Sequence, residues 1–268
     1  MGQLMQQKIF KFRHQRLAWL IPVILIFLMV GLAMTTHGST VSDQKFYISS
    51  AYGGFQWLMM LIIVMGASCV TMEFEYGTIK QLETQVNHRW MIFVGKYVLV
   101  LSYSALLHVL IIFVTGMLKV SMSRHLPWRT VYFYHHSLLV NLVTNAGLDM
   151  YGGVMIIGLV FLLASCSRNS AAAIAVGMGA CFMGEGASSL LLQSFRSVVP
   201  VLKWNPFNML FLQEQYGNPE YQRTVTHLTI QQLSLGNLVW ALIFIGLGAI
   251  IRSAESRPGG QSNWKESY

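Results

Sequence analysis

Charge is scarce in this chain. Only 10% of its 268 residues are Asp, Glu, Lys or Arg, against about 25% in a soluble domain. What charge there is leans one way, with 18 Lys and Arg against 10 Asp and Glu. No basic patch interleaved with aromatics stands apart from the apolar runs, so the net charge of +8 does not point to nucleic acid. Cysteine is scarcer still. Cys69, Cys166 and Cys181 all lie in or beside apolar runs, and an odd number without regular spacing excludes a disulfide framework and a metal motif. Small residues buried among helices is the reading left for them. Catalytic signatures are missing too: there is no His-Glu-x-x-His, no Gly-x-Ser-x-Gly and no Cys-x-x-Cys. Gly95-Lys96 is followed by Tyr97 and has no upstream glycine, so it is not a phosphate loop. Nothing here assigns an enzyme, a bound cofactor or a metal. Work driven by ATP would need its hydrolysis supplied by another subunit.

Apolar length is abundant. Hydrophobic residues make up 54% of the chain, and several separate runs approach the roughly 20 residues that cross a bilayer core as a helix. They predict six spans: Leu17 to Thr35, Phe55 to Thr71, Tyr97 to Leu118, Tyr151 to Cys166, Ala171 to Leu192 and Leu233 to Ile251. The fourth helix has room to begin earlier, near Ser137. The fifth is rich in Gly and Ala, which permits close packing. The fold class is therefore all-α: a polytopic membrane protein with a single six-helix domain over residues 1–252 and a loose tail at 253–268. Residues 1–16 carry Lys8, Lys11, Arg13 and Arg16 among apolar residues. They read as an interfacial helix on an anionic membrane face, or as the positive flank of the first span. No internal repeat is visible, which weakens an inverted-repeat carrier.

Six spans put both termini on one side. With the termini inside, eleven Lys and Arg fall on inner segments and seven on outer ones. That bias favours cytoplasmic termini in a cytoplasmic membrane. It leaves 36–51, 119–149 and 194–232 outside, with Asp149 solvated at the outer start of the fourth span.

Between the second and third spans runs the polar stretch EFEYGTIKQLETQVNHRWMIFVGK, residues 73–96. Gly77 can break the incoming helix. Thr78 and Gln81 have the spacing of a capping box that starts a new one. Ile79, Leu82 and Val86 then share a face, with Lys80, Glu83 and Asn87 elsewhere. A short amphipathic helix on the membrane surface, or an ordinary connector, fits that pattern. Arg89 and Lys96 are seven residues apart and share a face on a continuous helix, where they could meet Glu73 or Glu75. Two ionisable residues fall inside spans. Glu185, between Gly184 and Gly186, is a candidate for a substrate path or gate, or a carboxyl near the outer interface. His108 is a second candidate, or a packed histidine.

In order along the chain, Glu73-x-x-x-Gly77-Thr78, Arg89, Gly95-Lys96, Arg168-Asn169 and Trp204-x-Pro206-Phe207 resemble the permease subunits of type-two ABC exporters. The resemblance implies that family's permease fold and a coupling helix within 73–90. Glu73, Gly77, Thr78, Ile79, Leu82, Val86, Arg89, Lys96 and Arg168 would then serve ATPase coupling. It further implies two cytoplasmic ATPase subunits holding ATP and Mg, a second permease subunit, identical or related, and a surrounding lipid bilayer. The expected function is ATP-driven export of an amphipathic or hydrophobic substrate such as a peptide, bacteriocin or drug. The competing reading is a stand-alone ion- or proton-coupled carrier or channel using Glu185.

Overall fold

The computed structural model describes residues 15–36, 38–75, 89–167 and 169–254, with the side chains of residues 73–75, 89 and 254 outside that description. Expectations for the interfacial helix, for Gly77, Thr78, Ile79, Leu82 and Val86, for Arg168 and for the tail beyond 254 fall outside it.

Six helices are long and apolar enough to cross a membrane. They are α1 (Arg16–Thr35), α3 (Gly54–Glu75), α4 (Arg89–Met122), α5 (Leu138–Ser167), α6 (Ser170–Ser194) and α9 (Ile230–Ala254). Among the described residues three short α-helices lie between them: α2 (Val41–Ser49), α7 (Val199–Leu202) and α8 (Leu212–Gly217). Among the described residues there is no strand, only an isolated bridge between Val131 and Ser137.

Helical periodicity sets what each span buries. In α1 the buried residues are Ala18, Ile21, Leu25, Met29 and Ala33, one stripe at spacings of three and four. Trp19, Val23 and Phe27 point away from the bundle. The short α2 has Thr40 as N-cap, its hydroxyl accepting from the Asp43 amide at 3.2 Å and donating to the Asp43 carboxylate at 2.7 Å. The turn Ala51–Gly53 follows with all three φ angles positive. Gly54 then lets α3 start against Met29 and Ile111, 3.1 and 3.0 Å from where its Cβ would be.

Helix α5 is the hub, packed against α3, α4, α6 and α9 as well as α2 and α8. Phe161 on α5 is fully buried and meets the rings of Phe93 and Tyr97 on α4 edge-on, at 5.4 and 5.6 Å. Tyrosine hydroxyls cross between helices to backbone carbonyls: Tyr103 to Ala18, Tyr97 to Val154 and Tyr151 to Ser234, at 2.7–2.8 Å. Each gives a buried hydroxyl a partner where no lipid could supply one.

One boundary differs from the sequence expectation, and a second lies where the sequence left room for it. Helix α4 begins at Arg89 rather than near Tyr97, so Arg89, Gly95 and Lys96 belong to the span-bearing helix. Helix α5 begins at Leu138, which shortens the connection before it to residues 123–137. Asp149 consequently lies about three turns inside α5 and is buried, not solvated at a span end.

Candidate functional site

Chain direction gives the bundle two ends. The start of α1, the α3–α4 hairpin, the α5–α6 turn and the end of α9 share one, here the hairpin end. The α1–α3, α4–α5 and α6–α9 connections share the other.

At the hairpin end, α3 runs to Glu75 and α4 starts at Arg89. Between these helices Lys96 is buried, and its Nζ donates to the Cys69 carbonyl of α3 at 2.7 Å. Gln15, just before α1, donates to the Met72 sulfur at 3.3 Å. Across the bundle Asn169 caps α6, its side-chain oxygen accepting from the Ala172 amide at 3.3 Å. Lys96 is therefore placed beside α3, while the side chains of Glu73 and Arg89 lie outside the described residues.

Midway, His108 of α4 and Asp149 of α5 are both buried and 2.9 Å apart. The ring of Phe55 stacks beside His108 at 6.1 Å. Sequence reading named both residues but took Asp149 as solvated at a span end and did not pair them, since they lie 41 positions apart on different helices.

At the opposite end, residues 195–229 connect α6 to α9, and Pro206–Phe211 packs against both of these helices. Asn205 donates to the Ser188 hydroxyl at 3.0 Å and starts the 3-10 turn Pro206–Phe211 by accepting from the Asn208 amide. Phe207 rests on Gly184 and Met209 on Gly236, each so close that a Cβ on the glycine would fall within 2.5 Å of it. Both glycines are needed for this approach. Gly184 is ten residues before the end of α6, so the turn reaches about 15 Å along that helix. Asn208 donates to the Lys203 and Thr226 carbonyls, and Trp240 Nε1 to the Trp204 carbonyl. These bonds hold the turn's shape and fasten it to α9.

This connection brings a second carboxyl to Glu185. The side chains of Glu185 on α6 and Glu214 on α8 come close enough to interact electrostatically. Two carboxylates this close repel, and a proton on one of them relieves the repulsion. Partial desolvation by neighbouring protein pushes the carboxyl of Glu214, an exposed residue, above the ordinary glutamate value, and the interaction with Glu185 pulls it back in part. Among the described residues neither carboxyl has a salt bridge, and no cluster of three His, Cys, Asp or Glu gathers to hold a metal. Glu214 escaped sequence reading because it lies 29 residues from Glu185 in a stretch without helical periodicity.

Comparison with known proteins completes the picture. The family model for the ABC-2 family transporter protein matches residues 4–184, more than half of the chain. The uncharacterized protein YhcI of Bacillus subtilis (strain 168) is 22% identical over 198 residues, 70% of this chain. The match spans 62% of that relative's length.

Proposed function

This chain belongs to the ABC-2 family of transporter proteins, and from that premise we propose that it is the membrane-spanning permease subunit of an ATP-driven exporter. One observation carries the reading: the family match runs from residue 4 through α1 to α5 and into α6, and so includes the hairpin between α3 and α4. Two separate ATPase subunits, holding ATP and Mg, dock on the amphipathic stretch 78–88. Their closure moves the hairpin. Lys96, bonded to the α3 backbone, makes α3 and α4 respond together. A second copy or a related permease completes the substrate path. The substrate is amphipathic or hydrophobic, such as a peptide, a bacteriocin or a drug. The hairpin end faces the cytoplasm in a cytoplasmic membrane, supported by the excess of Lys and Arg on that side.

The 195–229 segment at the opposite end fits an exit gate. Glu185 and Glu214 close it as a proton-sharing pair, and the seats of Phe207 on Gly184 and Met209 on Gly236 fill the space between α6 and α9. A stand-alone proton-coupled carrier would also use such a pair, so the deciding experiment concerns the partner. Affinity purification of the full chain from its native membrane should bring down a soluble ATPase, and hydrolysis in the complex should respond to substrate. Transport that persists in purified chain without any ATPase, driven by an ion gradient, would replace the exporter with the carrier.

A further inference from the structure

The middle of the bundle holds polar side chains where a membrane protein has fewest. His108 and Asp149 are 5% and 8% exposed. His108 Nδ1 lies 2.8 Å from the backbone carbonyl oxygen of Ser104, and Nε2 lies 2.9 Å from Asp149 Oδ2. A carbonyl oxygen only accepts, so Nδ1 carries a proton. A second proton lies between Nε2 and Oδ2. Whether the pair is written as imidazolium and carboxylate or as imidazole and acid, it holds two protons and no net charge. That neutrality is what lets two titratable groups stay in a low-dielectric site.

The account is not yet closed. The Ser104 hydroxyl, on a residue 5% exposed, has no hydrogen-bond partner among the described residues, and neither has the second oxygen of Asp149. Both residues line one small, partly enclosed pocket of about 20 Å³, together with His108, apolar side chains of α3 and α5 and the backbone at Gly153. A void that stays empty is apolar, whereas one with unpaired polar atoms and more than about 10–15 Å³ of room holds water. A hard cation asks for about six oxygen ligands, and only the Ser104 hydroxyl and the Asp149 oxygen are offered. A transported molecule needs a pocket of roughly 300 Å³ or more.

We propose that this pocket is a water site: one ordered water, bonded to the Ser104 hydroxyl and the Asp149 carboxyl, completes a buried polar centre that ties α4 to α5. His108 thereby leaves the list of residues on the substrate path and becomes part of a fixed joint among α3, α4 and α5. The centre stands independently of the exporter reading, since it depends only on geometry within one chain.

Two measurements on the full chain in lipid nanodiscs test it. An experimental structure at a resolution that shows ordered water should place density within hydrogen-bonding distance of both Ser104 Oγ and the free Asp149 oxygen. An empty pocket, or a cation there, overturns the proposal. Thermal unfolding gives an independent sign. In a dry pocket Ser104→Ala removes an unpaired buried hydroxyl and adds a better helix former, so Tm holds or rises. With water present the same change takes away one of its anchors, and Tm falls by about 2–4 °C. A Tm that holds or rises overturns the water site, as does a native Tm that climbs when sodium replaces potassium.

Discussion

Lys96 on α4 donates a hydrogen bond to the Cys69 carbonyl on α3, Nζ to oxygen 2.7 Å, and the ammonium is buried between the two helices that flank the hairpin. The carbonyl already serves the α-helical ladder, so the lysine adds a second donor to it. A charge-assisted bond of this kind contributes about 1.5–3 kcal/mol.

Replacing Lys96 should therefore cost stability and coupling together. Lys96→Met keeps the length of the apolar stem and deletes the ammonium. Unfolding in nanodiscs should show a loss of about 1.5–3 kcal/mol, and ATP hydrolysis by the reconstituted complex should lose its response to substrate. Unchanged Tm and unchanged stimulation would make the bond incidental.

The amphipathic stretch gives a sharper test of docking. Ile79, Leu82 and Val86 recur at helical spacing, and Leu82→Asp puts a carboxylate in that row. Burying an unpaired charge costs several kcal/mol, enough to weaken docking about a hundredfold or more. The variant should insert and fold like the parent, judged by yield and Tm. It should no longer retain the ATPase in a pull-down from matched membranes. Normal retention would reduce residues 78–88 to a connector.

The carboxyl pair predicts a pH dependence with a definite sign. Partial desolvation raises the exposed Glu214 above its ordinary value of 4.5, so the folded state holds its proton somewhat more tightly than the unfolded state does. Stability from the pair is then fully present in acid and is lost as pH climbs through the raised value. Tm should fall as pH rises from about 4.5 upward. Glu185→Gln supplies a permanent amide donor to an ionised Glu214, and should flatten that slope while lowering transport. A parallel slope in the Gln variant would remove the pair from the gate.

Sidedness is open to chemical labelling. Ser42 and Asn218 are exposed at the end opposite the hairpin, and Gln85 lies in the hairpin sequence. In a chain first cleared of the exposed thiol by Cys166→Ser, Ser42→Cys and Asn218→Cys should react with an impermeant reagent in intact cells. Gln85→Cys should react only after the membrane is opened. The reverse pattern would invert the orientation.

Fold and site were unequally legible in the sequence. The six spans could be read because long apolar runs have few alternatives in water or in lipid. Their ends were harder. Arg89 and Lys96 look like loop residues by charge, yet both lie in α4, and Lys96 buries its ammonium by finding a backbone carbonyl. Asn141 and Asn145 made the start of α5 look polar. Asn145 satisfies its amide on the Ser49 carbonyl of α2, and Asn141 bonds back to the connection before α5, so the helix can start at Leu138. The pairings of Glu185 with Glu214 and of His108 with Asp149 join residues 29 and 41 positions apart. No local pattern encodes such meetings. They follow from how α4 and α6 pack against neighbours whose boundaries had first to be right.

Helix α4 has no proline in its 34 residues. At 1.5 Å per residue it is about 50 Å long, some 20 Å more than the hydrocarbon core. A stiff beam of that length works as a lever arm. A tilt of about 5° with the hairpin end as fulcrum swings the Met122 end by about 4 Å, somewhat less than the pitch of one helical turn. Because Lys119 sits over the Trp128 ring near that far end, the 123–137 connection is swept along with it. Rotation of a few degrees at one surface of the membrane would thus arrive at the other as a displacement of a few ångströms, carried by a single unbroken length of backbone.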